Sequence, residues 1–151
     1  MTEDADIGFF IMGAHTMTAR HAIKHLRSSG IKAGLVKLRF VRPWPTQEVA
    51  QALAKFKAVA VVETSTSYGG AMRGGNLLHE VRASLYDLEK RPLTTSFMAG
   101  LGGEIVPLAD FYYMADVLTK ALKEGKTRQT VYWVGFEAGE EKAEQEETAT
   151  A

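Results

Sequence analysis

The stretch 58–75, AVAVVETSTSYGGAMRGG, constrains the fold of this chain more than any other. From Ala58 to Val62 every position is apolar. The run ends at Glu63 and is followed by a hydroxyl-rich turn, the pairs Gly69-Gly70 and Gly74-Gly75, and a helical pattern from Leu77 onward. A strand with no polar face has to be covered on both sides, and parallel α/β sheets supply that cover. The loop that leaves such a strand lies at the carboxyl edge of the sheet, where α/β proteins place ligand or partner contacts.

The rest of the chain repeats the order strand, then helix. Asp6 to Gly13 (DIGFFIMG) reads as a first buried strand. His15 to Ser29 follows as a helix with Ala19, Ala22, Ile23 and Leu26 on one side, and Gly30 stops it. Lys32 to Phe40 alternates Leu35, Lys37 and Arg39 with Val36, Leu38 and Phe40, as expected of a strand near the sheet edge. The segment Val41-Arg42-Pro43-Trp44-Pro45 is a rigid connector, because each proline fixes φ and pushes the residue before it out of the helical region. Thr46 is predicted to cap a helix that carries Val49, Leu53 and Phe56. Asn76 to Leu88 is predicted as the next helix and Leu93 to Met98 as the fourth strand. A turn through Gly100, Gly102 and Gly103 leads to a helix over Pro107 to Lys123, with Leu108, Phe111, Ala115, Leu118 and Leu122 as its buried stripe. Gly125 ends that helix, and Thr130 to Gly135 (TVYWVG) is open to two readings, a fifth strand or a docking arm. Four βα units in succession imply right-handed crossovers and an α/β fold, a three-layer αβα sandwich around a mostly parallel sheet.

Composition narrows the function classes. At 151 residues and 46% hydrophobic, the chain is the size of one domain with a real core. The 18 basic and 18 acidic side chains balance only as a sum, since residues 137–151 hold six Glu against Lys142 alone. We therefore expect one domain over residues 1–136 and an acidic, disordered tail over 137–151. A body this mildly basic, without an Arg/Lys run interleaved with aromatics, argues against nucleic acid. Cysteine is absent, which excludes disulfides and removes thiolate ligands for zinc or an iron–sulfur cluster. The apolar runs are far shorter than the roughly 20 residues a membrane-crossing helix needs, so no membrane and a cytoplasmic location are expected.

Three blocks, GIKAGLVKLRFVRPWP, AVAVVETSTSYGGAMRGGNLLHEV and SFMAGLGG, occur in that order. Together they resemble the carboxyl-terminal domain of the α subunit of 2-oxoacid:ferredoxin oxidoreductases, the pyruvate:ferredoxin oxidoreductase group. The likeness runs from about Asp6 to Gly135. That domain is similar to the carboxyl-terminal domain of transketolase, which implies a sheet in which the Asp6 strand lies between the Lys32 and Ala58 strands, with the Leu93 strand beside the latter. The resemblance also implies an enzyme complex that decarboxylates a 2-oxoacid on thiamine diphosphate, passes electrons through iron–sulfur clusters to ferredoxin and forms an acyl-CoA. Thiamine diphosphate, its Mg ion and the clusters are expected in partner subunits and no cofactor in this chain, which is expected to serve assembly and to be inactive alone. A different class stays open beside it, an autonomous flavodoxin-like module that binds an anion or nucleotide between the loops after Gly13 and Glu63.

The candidate contact residues are Arg42, Trp44, Glu63, Thr64, Ser65, Tyr68, Arg73 and Trp133. Arg42 and Arg73 are cations in rigid or Gly-rich loops, suited to partner carboxylates. Trp44, Tyr68 and Trp133 are large amphipathic groups outside the helix-face patterns, of the kind interfaces use as anchors; for Trp44, cover of the domain's own core is an equal reading. Glu63 ends a buried strand among hydroxyl groups, where it either titrates abnormally as an acid or base or accepts hydrogen bonds from loop N–H groups, the second being preferred. The Gly pairs precede a helix, a place suited to cradling phosphate, but neither a Walker pattern nor GxGxxG is present, and a tight turn or subunit contact is preferred. His21 and His25 stand at i and i+4 without a third ligand, and a solvated helix face is expected of them rather than a metal site.

Overall fold

In the computed structural model, residues 2–67 and 74–135 are described. Five strands form one sheet: β1 (Ile7–Met12), β2 (Ala33–Leu38), β3 (Ala58–Glu63), β4 (Leu93–Met98) and β5 (Val131–Trp133). The order is β2-β1-β3-β4-β5, and every neighbouring pair is parallel. This is the arrangement the transketolase-like resemblance implies. Four helices connect the strands: α1 (Thr16–Ser28), α2 (Thr46–Leu53), α3 (Asn76–Leu85) and α4 (Leu108–Glu124).

The period of two along β1 and β3 divides the interior into two cores. Ile7, Phe9 and Ile11 of β1 and Ala58, Ala60 and Val62 of β3 point to one side. There they meet Ala19, Ala22 and Ile23 of α1 and Phe111, Met114, Ala115 and Leu118 of α4. The alternate residues, Phe10, Val59 and Val61, point to the other side, against Val49 and Leu53 of α2 and Leu77, Leu78, Val81 and Leu85 of α3. Helices α1 and α4 thus share one face and α2 and α3 the other, which makes the three layers. All six residues of β3 are buried, and that follows from its place at the centre of the sheet.

Several local expectations are corrected. Thr46 is the first residue of α2 rather than its cap; Pro45 holds the cap position and offers no side-chain hydrogen bond. Helix α3 ends at Leu85, and Leu88 packs half-buried on the second core from beyond it. The buried stripe of α4 runs through Met114 and Ala121, whereas Leu108 is exposed because the first turn overhangs the carboxyl edge of the sheet. Of the two readings of TVYWVG, the strand is the one found, with Tyr132 opposite Phe97 and Trp133 opposite Met98. The acidic segment 137–151 lies outside the described residues. No helix among those described is long and apolar enough to cross a membrane.

Gly8 shows how closely the second core is filled. A β-carbon at this position would stand 2.6–2.7 Å from the ring of Phe56, itself buried. Gly8→Ala must therefore push that ring aside, at about 1–3 kcal/mol of overpacking offset by up to about 1 kcal/mol of backbone entropy. A net loss of about 1–2 kcal/mol is expected in urea unfolding, and a variant as stable as the parent would show that Phe56 is free to move.

Candidate functional site at the carboxyl edge

The strand order places a switch point between β1 and β3. After β1 the chain turns to α1 on one face, and after β3 it turns to α3 on the other, so the two loops part and leave a crevice. The crevice is lined by Met12, Val41, Val62, Glu63, Thr64, Ser65, Asn76 and Leu77 and holds about 140 Å³. Pockets for small molecules run to about 300–1,000 Å³, so the described walls enclose room for solvent or a small group rather than a nucleotide.

Glu63 dominates this place. It ends β3 with only 3% of its surface exposed. Its Oε2 accepts the backbone N–H of Leu77 at 2.8 Å, and its Oε1 accepts the hydroxyl of Ser96 at 2.8 Å. The backbone N–H groups of Leu78 and Gly75 also favour the charged form of the carboxyl. These N–H groups are the unpaired donors that open α3, whose cap residue, Gly75, contributes no side chain. A carboxylate from the adjoining strand therefore caps the helix and meets the positive end of its dipole. Glycine is required at position 75 by close approach, since a β-carbon there would lie 2.1 Å from Glu63 Oε2. The amide at the start of α3, a natural donor to phosphate, is occupied by the protein's own carboxylate.

The other predicted residues distribute around this clamp. Arg42 pairs with Glu80 of α3 at 2.6 Å. Trp44 stands edge-on to Phe10 and donates its indole N–H to Ser84 Oγ at 2.7 Å, while Ser84 donates to the Glu80 carbonyl. The proline-rich connector is thus fastened to the outer part of α3, and Trp44 is half-buried against the domain's own core. Thr64 and Ser65 are exposed at the start of the loop, which is drawn together where Ser67 N–H donates to Gly74 O at 2.8 Å. Tyr68 and Arg73 lie outside the described residues. Trp133 is 42% exposed at the end of β5, two strands from Glu63. His21 and His25 are both exposed on α1, with the His25 ring 6.1 Å from Tyr112. Among the described residues no group of three or more His, Cys, Asp or Glu is placed to hold a metal.

Sequence reasoning missed Ser96 as the second partner of Glu63. The available signal was a serine inside an otherwise buried strand, which needs an acceptor within reach. Thr95 beside it is likewise fully buried and donates to the carbonyl of Gln129 or Thr130, each 3.0 Å away.

The family model described as pyruvate:ferredoxin oxidoreductase core domain II matches residues 5–111. Over 131 residues the chain is 34% identical to the ketoisovalerate oxidoreductase subunit VorA of Pyrococcus furiosus, covering 87% of this chain and 32% of that protein. Over 135 residues it is 34% identical to the pyruvate synthase subunit PorA of the same organism, covering 89% and 33%. The chain thus spans about a third of the length of these relatives. Among solved structures, a split gene transketolase in an inactive β4 tetramer superposes with a TM-score of 0.58 at 22% identity, over 81% of this chain and 40% of that one. The 2-oxoglutarate:ferredoxin oxidoreductase of Magnetococcus marinus gives 0.54 at 20% identity, over 82% and 18%. These two likenesses concern the fold.

Burial raises the Glu63 carboxyl above the ordinary carboxylate range, outweighing the hydrogen bonds that favour its charged form. The folded state then keeps the proton to higher pH than the unfolded chain. Stability falls as pH rises from the ordinary carboxylate value through the raised one, and is level beyond it. Glu63→Gln is expected to remove this slope in melts across that window. Glu63→Ala leaves Ser96 and the first amides of α3 without an acceptor and should cost about 1–3 kcal/mol at every pH. A melting profile for Glu63→Gln with the parent's pH slope would assign the titration elsewhere.

Proposed function

The chain belongs to the pyruvate:ferredoxin oxidoreductase core domain II family, and we propose that it is the assembly domain, or one portion of a divided α subunit, of a thiamine-dependent 2-oxoacid:ferredoxin oxidoreductase. Such an enzyme makes acyl-CoA and reduced ferredoxin, and this domain is not catalytic alone. The observation that carries the reading is coverage: the chain corresponds to about a third of proteins named as subunits of 2-oxoacid oxidoreductases.

The donor set supports the division of labour. A chain without cysteine cannot ligate an iron–sulfur cluster through thiolates, and the described carboxylates and histidines do not gather into a site for a magnesium–diphosphate group. In this reading the partner subunits carry these cofactors. Ferredoxin is reached only through those partners, in the cytoplasm, without nucleic acid or membrane. We take the polar loop groups Arg42, Glu63, Thr64 and Ser65 to shape the edge that the partners meet, with Trp44 and Trp133 flanking it; Tyr68 and Arg73 belong to the same loop in sequence. The closed hydrogen bonding of Glu63 also speaks against an autonomous anion-binding module, because an anion at α3 would have to displace it.

Purification of the tagged chain from its native source tests the proposal. Thiamine diphosphate, iron and 2-oxoacid-dependent, CoA-requiring ferredoxin reduction are expected in the complex and not in the isolated chain. Recovery of a free monomer, with none of those subunits attached, would overturn it. Trp133→Ala is expected to cost under about 1 kcal/mol in denaturant unfolding, as a surface change does. The same change should weaken association by about 2 kcal/mol, as loss of an interface anchor does. A large loss of stability with unchanged association would place Trp133 in the domain's own core.

A further inference from the structure

Large apolar side chains that stay exposed are not spread evenly over this protein. Among the described residues, Met12, Met17, Phe40, Ile105, Leu108 and Trp133 lie at or just beyond the carboxyl ends of the strands, and only Tyr86 and Tyr113 lie elsewhere. Single exposed hydrophobics are ordinary, but a contiguous group marks an interaction surface. We propose that the part of this edge formed by Met17, Ile105 and Leu108 is a docking surface. Its occupant is the polypeptide that corresponds to the two thirds of the α-type relatives which this chain does not span. The inference rests on the assembly reading above and adds the face and the anchor.

Ile105 is the centre of the argument. It is 85% exposed, while its neighbour Val106 is buried, so the loop is fixed with its larger side chain turned outward. The same loop is pressed against the start of α1. A β-carbon at Gly100, where φ is +73°, would meet His15 Nε2 at 2.7 Å and Val106 Cγ2 at 3.1 Å. Met17, 58% exposed, follows His15 by two residues, and Leu108 opens α4, which packs beside α1. The three side chains therefore stand on held backbone at the adjacent starts of two helices. An apolar group already held in place loses little further entropy on binding, which favours association.

Apolar content and available length select the occupant. Around the patch the charges are of both signs: Arg20 is exposed one turn beyond Met17, Glu104 is exposed beside Ile105, Asp110 lies in the first turn of α4, and Arg27 at the far end of α1 is paired with Asp4. The fitting surface is apolar with a polar rim of both signs. Residues 136–151 of this chain offer only Phe136 as a large apolar group, too little apolar surface to match such a patch. The relatives, in contrast, hold about two thirds of their length outside the matched segment, available to cover this edge.

The test uses the full chain, tagged and expressed in its native source, as wild type, Ile105→Glu, Met17→Glu and, at the opposite end of the sheet, Tyr86→Glu. Melting curves establish that each variant is folded, and Ile105→Ala serves if Ile105→Glu is not. The wild type and Tyr86→Glu are expected to retain a polypeptide whose sequence matches the unspanned region of α-type subunits. Ile105→Glu and Met17→Glu are expected to retain at least tenfold less of it. Undiminished retention by both would overturn the docking face and leave the assembly reading standing. Absence of that polypeptide from the wild type would overturn both. A homo-oligomer by light scattering that dissociates on Ile105→Glu would make the occupant a second copy and overturn the proposal.

Discussion

The Glu63 carboxylate is the interaction on which the carboxyl edge depends. It joins three elements at one point: it ends the central strand, accepts the first amides of α3 and takes the hydroxyl of Ser96 from β4. Removing a carboxylate from water is unfavourable by itself, and burial accordingly raises its pKa. The convergence of donors offsets that cost, because the same donors would otherwise be buried without partners. Neither half of the arrangement is stable without the other. The direction in which the chain leaves β3, and hence the position of α3 under Arg42 and Trp44, follows from this joint.

Much of this was legible in the residues, because hydrophobic period is a strong signal when both sheet faces are covered. The uninterrupted run in β3 and the DIGFFIM run in β1 require central strands, and the family resemblance supplied their order. The clamp at Glu63 was half legible: its place after a buried run called for hydrogen-bond partners, but Ser96 lies 33 residues away and only the sheet register brings it there. The need for glycine at position 75 was hidden for a similar reason. It comes from the approach of a distant carboxylate and not from a left-handed turn, since φ there is −88°. Leu108 was placed in the core because helical spacing does not tell where the supporting sheet stops. The exposed group at Met17 and Ile105 carries no local pattern at all, since two helices and a loop assemble it.

Two kinds of surface are thus set side by side at the carboxyl edge. The polar groups there are largely occupied with one another: Glu63 with α3 and β4, Arg42 with Glu80, Trp44 with Ser84. Among the described residues, what is left exposed is Thr64, Ser65 and the apolar groups. In α/β proteins that bind small ligands at this edge the balance is reversed, with unpaired donors directed into the crevice between the parting loops. A site whose donors are satisfied and whose hydrocarbon is exposed gains little from an ion or nucleotide and much from another protein surface, because the favourable term left to collect is burial of apolar area.

The energetics of such an edge differ between a domain within a long chain and one that must bind in solution. A linker holds its two partners at an effective concentration of about millimolar, so a modest apolar contact keeps them together. Separate chains lose translational and rotational freedom worth roughly 4–15 kcal/mol, and the contact must exceed that before any affinity appears. Large side chains carried on a fixed backbone are suited to this requirement, since a few well-packed anchors carry most of the binding energy of an interface. The cost to the free domain is small. Exposed hydrocarbon does not weaken the two cores, which are closed above and below the sheet, so folding and assembly draw on different residues of the same sequence.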